Sequence, residues 1–230
     1  MKIMTFNTQH CLNYLEQQVD FDIMARAILE CGADLVGLNE MYDESPHPEL
    51  QNQVGKLAAR TCLHHHYFAQ AISIPNGTYG NGILSRWPIV SAETILVPEP
   101  PILNPLFYYE QRCLLKVRLE NGLVILVIHF GLSPEEQENA VATVLDNLED
   151  EKCILMGDFN ILPDNPLLDP IRAKMKDTAL YFDEPVLSFP SDDPKMKIDY
   201  IFVSPDLEVE QADIPAIVAS DHRPHTAQIR

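Results

Sequence analysis

An aspartate and an asparagine two residues apart follow the apolar run Cys153-Ile154-Leu155-Met156, in the stretch Gly157-Asp158-Phe159-Asn160. In an extended segment alternate side chains share one side, so Asp158 and Asn160 point together. A carboxylate and a carboxamide at the end of a buried strand are costly there unless something polar meets them. A hard cation with a phosphate, or a water poised beside one, suits that pair. The same octapeptide also reads as a strand followed by an Asp/Asn turn. What decides between the two is whether other residues aim at the same place.

Several do, three of them at the end of an apolar segment. Asn7 follows residues 1–6, Glu40 closes 33–40, and His129 ends the run Leu123-Val124-Ile125-Leu126-Val127-Ile128. Asp199 lies in the alternating segment 197–203, and Asp221 and His222 occupy Ser220-Asp221-His222-Arg223-Pro224. Singly, each has a plain explanation. Asn7 serves as a turn residue, Glu40 as a solvated acid, His129 as a core or edge histidine, Asp199 as a water-facing strand residue, and Asp221-His222 as a turn before Pro224. Asp164, Asp192 and Asp193 read as surface acids. Arg112 is either a phosphate contact or a strand-edge charge. The adjacent His64, His65 and His66 cannot all face one metal from a strand, so they read as a solvated strand start.

The elements that must carry these residues follow from periodicity and punctuation. Residues 20–31 have apolar side chains at helical spacing, with Asp20 as N-cap and Gly32 just past the end. Strand–Asn7–helix–strand–Glu40 is therefore one βαβ unit. A second helix is predicted at 48–62, with Leu50, Val54, Leu57, Ala58 and Cys62 on one face. Strands 67–74 and 80–85 are joined through Pro75-Asn76-Gly77-Thr78. Four prolines in 98–106, with Phe107, Tyr108 and Tyr109, make a stiff loop. That loop is either surface packing or one wall of a substrate pocket. Strands 111–119 and 122–130 meet at Asn121-Gly122, the strongest hairpin signal in the chain. A helix at 134–148, with Ser133 as N-cap and Pro134 at its first position, leads to 153–160. Asp164-Asn165-Pro166 starts a short helix, and strands at 197–203, 207–212 and 225–229 complete the chain.

Strand–His129–helix–strand–Asp158-x-Asn160 thus repeats the layout of strand–Asn7–helix–strand–Glu40. Two such halves supply two sheets packed face to face, with both sets of strand ends opening on one cleft. No linker or low-complexity tract interrupts the chain, so residues 1–230 are expected to form one domain.

Composition narrows the partners. The 230 residues hold 16 Lys+Arg against 34 Asp+Glu, for a net charge of −18. A protein that grips a long polyanion carries a basic stripe, and none is visible, so duplex nucleic acid is disfavoured. No run of eighteen apolar residues marks a transmembrane segment, and the N-terminus is too soon polar for a secretory signal. Five scattered cysteines without a C-x-x-C pair point to reduced thiols, hence a cytoplasmic protein, expected to be a monomer.

Taken in order, Thr-Phe-Asn7, Gly-Leu-Asn-Glu40, Asn81-Gly82-Ile83-Leu84-Ser85-Arg86, His129, Gly157-Asp158-Phe159-Asn160, Ile198-Asp199-Tyr200-Ile201 and Ser220-Asp221-His222-Arg223-Pro224 form a set. This set resembles the endonuclease/exonuclease/phosphatase superfamily, the Mg²⁺-dependent fold of DNase I, abasic endonucleases, neutral sphingomyelinases and inositol polyphosphate 5-phosphatases. The resemblance runs from residue 3 to residue 224 and implies a four-layer α/β/β/α sandwich of two mixed sheets. It implies Mg²⁺ or Mn²⁺ held by Glu40 and Asn7, with Asp221 as a further ligand. It also implies that Asp158 orients or deprotonates water and that Asn160 and His129 contact the phosphate. His222, paired to Asp199, would act as general acid/base or charge stabiliser.

Departures from the pattern bear on substrate. The first strand has Asn7-Thr8-Gln9 where abasic endonucleases carry Asn-x-Asp, and His129 stands in place of their mid-chain tyrosine. The chain also has no room for large DNA-clamping insertions. The expected activity is therefore metal-dependent hydrolysis of a phosphate ester, diester or monoester, on a small or lipid-linked substrate. A repair-type nuclease and a non-catalytic metal- or phosphate-binding module are the alternatives.

Overall fold

The computed structural model describes residues 1–184 and 186–230. Its elements in chain order begin with β1 (Lys2–Asn7), the small hairpin β2 (Leu12–Asn13) and β3 (Gln18–Val19), α1 (Phe21–Cys31), β4 (Leu35–Tyr42) and α2 (Gln53–Thr61). Next come β5 (His65–Ile74), β6 (Gly77–Ser85), β7 (Ile89–Leu96), β8 (Cys113–Leu119), β9 (Val124–His129), α3 (Pro134–Asn147) and β10 (Cys153–Asp158). The chain closes with α4 (Asp169–Arg172), β11 (Lys176–Asp177), β12 (Asp199–Val203), β13 (Val209–Asp213) and β14 (His225–Ile229).

Two six-stranded mixed sheets result, ordered β13-β14-β1-β4-β6-β5 and β11-β12-β10-β9-β8-β7. At the centre of each is one parallel pair, β1 with β4 and β9 with β10. Each pair is bridged by a helix, α1 or α3, as a parallel connection requires. The architectural duplication expected from the polar strand ends is present. Sheet faces are covered on both sides, which is why the central strands are apolar except near the ends that carry the candidate residues. Ile3, Leu35 and Ile83 of the first sheet meet Leu115, Val127 and Met156 of the second between the layers. Met4, Phe6 and Val36 pack outward on Met24 and Ile28 of α1 and Leu57 of α2. Leu126, Leu155 and Phe202 pack outward on Ala140 and Val144 of α3. The order helix–sheet–sheet–helix is the expected four-layer sandwich.

Helix ends follow local chemistry. Asp20 caps α1 by accepting from the backbone N–H groups of Asp22 and Ile23, and Gly32 ends it in the left-handed region. Ser133 and Glu136 form a reciprocal capping box on α3.

Some expectations shift. The helix predicted at 48–62 divides into a 3₁₀ turn at Pro48–Leu50 and α2 from Gln53, because the Asn52 side chain caps the backbone N–H of Gly55. Cys62 lies just past that helix and is exposed, whereas the other four cysteines are buried and free. Strand β4 does not stop at Glu40 but continues to Tyr42 through a register shift between Leu38 and Met41. The edge strand β7, half-exposed along its length, has no counterpart in the sequence reading. A glycine that closes an apolar run reads as a tight turn, but Gly157 does not turn the chain. It sits within β10, at φ 151°, where an added Cβ would lie 1.8 Å from the Ile128 carbonyl oxygen. Its role is close approach of two backbones.

Candidate active site

Register alone brings three of the candidate residues abreast. Asp158 on β10 pairs with His129 on β9 to one side and with Asp199 on β12 to the other. All three are buried. His222 completes the row from the turn before β14, with Nδ1 2.9 Å from Asp199 Oδ2 and Nε2 3.6 Å from Asp158 Oδ2. His129 Nε2 approaches the same Asp158 oxygen at 3.5 Å. The other carboxylate oxygen, Oδ1, accepts from the backbone N–H of Asn160 at 2.9 Å. Asn160 sits at φ 50°, and its amide nitrogen lies 3.2 Å from His129 Nε2 and donates to the Phe130 carbonyl at 3.1 Å.

The first sheet faces this row. Asn7 ends β1, and its Nδ2 donates to Glu40 Oε1 at 3.0 Å and to Asp158 Oδ2 at 3.1 Å. Glu40 has φ 62° within the irregular stretch of β4, so its carboxylate departs from the regular strand alternation. Asn39, its neighbour, joins the two sheets: its Nδ2 donates to the Ile128 carbonyl at 3.0 Å and its Oδ1 accepts from Asp158 N–H at 3.0 Å. Asn39 also donates to Asn81 Oδ1 at 2.8 Å, and Asn81 donates to the Cys113 carbonyl at 2.8 Å. A chain of buried carboxamides thus pins the strand ends together. Asn39 carried no assigned role in the sequence, since an asparagine inside an apolar strand has no periodic signature.

Arg112 is the second residue whose importance the sequence hid. Its Nη1 forms an ion pair with Glu110 Oε1 at 2.8 Å and lies 3.1 Å from His129 Nδ1. A guanidinium only donates, so His129 Nδ1 accepts and the neutral ring carries its proton on Nε2, directed at Asp158 Oδ2. The Asn160 amide nitrogen, itself a donor, is a contact of Nε2 and not its hydrogen-bond partner. Burial, then the charges of Arg112 and His222, hold the His129 pKa well below its ordinary value. Burial acts on His222 in the same sense, but the Asp199 and Asp158 carboxylates outweigh it and raise the pKa to about 10. The result is an imidazolium clamped between two carboxylates. Burial lifts the Asp158 carboxyl above the usual carboxylate range, against the pull of His222.

A divalent ion fits this donor set. Glu40 and Asp158 converge on one Asn7 amide nitrogen. Burial, with Glu40 as a nearby repelling charge, raises the pKa of Asp221. Clustered carboxylate oxygens in a half-buried cleft are the ligands hard cations take. Gln9, which stands where abasic endonucleases carry an acid, has a buried Oε1 without a hydrogen-bond partner among the described residues. Asp158, Asp199 and His222 also offer ligand atoms within 4.8 Å of one another. Asp199 Oδ2 is already hydrogen-bonded to the ring, however, so that trio is an internally paired charge cluster. Asn7 offers Glu40 its nitrogen, while its Oδ1 accepts from Gln9 N–H at 3.1 Å.

With this geometry in view, the sequence profile of the Endonuclease/Exonuclease/phosphatase family matches residues 4–222. The chain belongs to the endonuclease/exonuclease/phosphatase family. Three solved structures illustrate the shared fold. An endonuclease/exonuclease/phosphatase from Beutenbergia cavernae is 23% identical, with TM-score 0.78 over 100% of this chain and 71% of its own. A mannosyl-6-phosphatase from Bacteroides thetaiotaomicron is 14% identical, with TM-score 0.76 over 100% of this chain and 99% of its own. A humanized D. rerio TDP2 is 15% identical, with TM-score 0.68 over 100% of this chain and 98% of its own. No curated protein matches significantly by sequence. Among the described residues no helix is long and apolar enough to cross a membrane.

Proposed function

We propose that this family member hydrolyses a phosphate ester on a small or lipid-linked substrate, using Mg²⁺ or Mn²⁺. The observation that carries the proposal is the buried row His129–Asp158–Asp199 with His222 closing it, opposite Asn7 and Glu40 of the other sheet. Glu40, Asn7 and Asp221 would hold the ion, Asn7 by turning its amide oxygen inward. A bound divalent ion neutralises charge on the phosphate and acidifies bound water.

The chain's own residues do the rest. Asp158 accepts a proton from the attacking water, its raised pKa suiting a base that works near neutrality. His222, kept as imidazolium by Asp199, stabilises negative charge on a phosphate oxygen. His129 presents Nε2–H to the same group because Arg112 holds its other nitrogen. Asn160 adds a carboxamide contact to phosphate. As the water oxygen bonds phosphorus, the bond to the alcohol oxygen breaks and that oxygen leaves with a proton from His222 Nε2, which recovers one from Asp158 3.6 Å away.

A net charge of −18 supports a small substrate over a duplex. Four buried, unpaired cysteines support a reducing compartment, and we read residues 1–230 as one cytoplasmic, monomeric domain. The deciding experiment is a panel of aryl phosphomonoesters, aryl phosphodiesters and an abasic oligonucleotide, with Mg²⁺, Mn²⁺ or Ca²⁺. Turnover of small esters that chelator stops and metal restores is expected. Turnover of the oligonucleotide alone, with steep salt dependence, would move the assignment to a nuclease, and metal binding without any turnover would move it to a binding module.

A further inference from the structure

Among the described residues, the Asp199 carboxylate has a single hydrogen-bond partner, and that partner is the ring it orients. Oδ2 meets His222 Nδ1 at 2.9 Å, while the buried Oδ1 meets no partner. A carboxylate held only by the group it must align takes its position from the main chain that carries it. On one side of β12 that main chain has no strand beside it, because β11 pairs only with Phe202 and Val203. The Asp199 N–H meets Ser188 Oγ at 3.4 Å, a long contact.

Two buried side chains hold the carbonyl instead. Lys197 Nζ donates to the Asp199 carbonyl oxygen at 3.0 Å, and His225 Nδ1 lies 3.2 Å from the same oxygen. A carbonyl only accepts, so His225 carries its proton on Nδ1. Burial, then the Lys197 charge, hold the His225 pKa well below its ordinary value, so the ring is neutral. Lys197 is 5% exposed, and its ammonium sits 3.3 Å from the centre of the Tyr200 ring. That ring is itself fixed, since Tyr200 Oη donates to the Ile161 carbonyl at 2.8 Å. Burial lowers the Lys197 pKa to about 8, against Asp177 and then Asp199, so the amine keeps its proton at neutral pH. Neither acid pairs with it: Asp177 meets Arg172, and the Asp199 carboxylate meets His222. A buried ammonium without a carboxylate is costly, and the hydrogen bond it makes goes to Asp199.

We propose that Lys197 and His225 are positioning residues for the reaction: from the buried side they clamp the Asp199 main chain and thereby set its carboxylate against His222 Nδ1. The proposal rests on the hydrolase assignment above. Loss of the clamp should loosen the Asp199–His222 bond without touching the groups that bind substrate.

The test is Lys197→Met, which keeps an unbranched apolar stem and removes the charge and the donor. With Mg²⁺ or Mn²⁺ and an aryl phosphate, kcat should fall at least about tenfold with KM nearly unchanged, as loss of an orienting partner costs. Without any substrate, the low-field ¹H resonance of His222 Nδ1–H, identified by its absence in His222→Ala, should broaden or move upfield. Lys197→Arg, still a charged donor, should recover part of both signals. His225→Leu should act in the same direction as Lys197→Met. His225→Asn, whose amide can donate from the place of Nδ1, should keep both signals close to the parent's. The His225 pair decides the question if a thermal melt shows that Lys197→Met does not fold. Parent-like kcat, or an unshifted resonance, in folded Lys197→Met would overturn the clamp. A parent that turns over no ester would overturn the hydrolase assignment, and the resonance would then decide the clamp by itself.

Discussion

His222 Nδ1 lies 2.9 Å from Asp199 Oδ2, and both side chains are buried. Burial by itself would lower the histidine pKa, and Asp199 followed by Asp158 raises it from 6.5 to about 10. Because the folded value is the higher one, stabilisation by the imidazolium is complete below 6.5 and is lost as pH rises through about 10. Turnover should therefore persist through mild alkali and fall near pH 10. Asp199→Asn should bring that alkaline limb down by at least about one pH unit, since a neighbouring carboxylate shifts a pKa by 1–3 units. A pH profile of kcat/KM for both proteins checks this.

Asp158 accepts hydrogen bonds from Asn7 and from the Asn160 backbone while facing both histidines. Asp158→Asn keeps its size and removes its basicity. It and His222→Ala should each lower kcat by at least about 10²-fold. Single-turnover kinetics on an aryl phosphate would show the loss in the chemical step. Rates within a few-fold of the parent in both variants would remove these residues from the mechanism.

Arg112 sets the tautomer of His129 through the 3.1 Å contact at Nδ1. In ¹⁵N-detected spectra the His129 proton should reside on Nε2. Arg112→Met should let it populate Nδ1 and should lower kcat by roughly tenfold, the lower end of what losing an orienting partner costs. Arg112→Lys, still a donor, should recover part of both signals. An unchanged tautomer in Arg112→Met would show that the contact orients nothing.

Glu40 and Asp221 repel one another, so a bound divalent ion should stabilise the fold. At a metal concentration near 100 times Kd the gain is about 2.7 kcal/mol, visible as a rise in Tm that chelator reverses. Glu40→Gln should abolish most of that rise. A metal-dependent Tm unaltered in this variant would place the ion elsewhere.

Gly157 packs where a Cβ would come within 1.8 Å of the Ile128 carbonyl oxygen. Gly157→Ala must spread β9 from β10 and should cost about 3 kcal/mol, the upper range for forcing atoms into a packed core. Urea unfolding measures it. The same change should also misalign Asp158 with His129, so activity should fall more than stability alone predicts.

Much of the site could be read along the chain because its parts sit where elements end. A polar residue closing an apolar run is conspicuous, which made Asn7, Glu40, His129 and Asp158 visible, and Asp199 and His222 lie in short distinctive motifs. Asn39, Asn81 and Arg112 left weaker traces. Asn39 is embedded in β4 and Asn81 in β6, and their work is to join one sheet to the other, a relation that no local pattern encodes. Arg112 precedes a strand as a surface charge does, and only the placement of Glu110 and His129 around it shows that it is nearly enclosed.

By itself, the order of apolar runs, caps and turns determined the two βαβ halves, the helix positions and the identity of most polar strand ends, because hydrophobic period and capping are local properties. Tertiary structure decided what those residues do to one another. Strand register set His129, Asp158 and Asp199 abreast, and packing of the sheets carried Asn7 to Asp158 across 151 positions of chain. Burial and the charges it brought together then shifted the pKa values in opposing directions. Proximity between distant segments and exclusion of water are properties of the packed chain, and no stretch of sequence contains them alone.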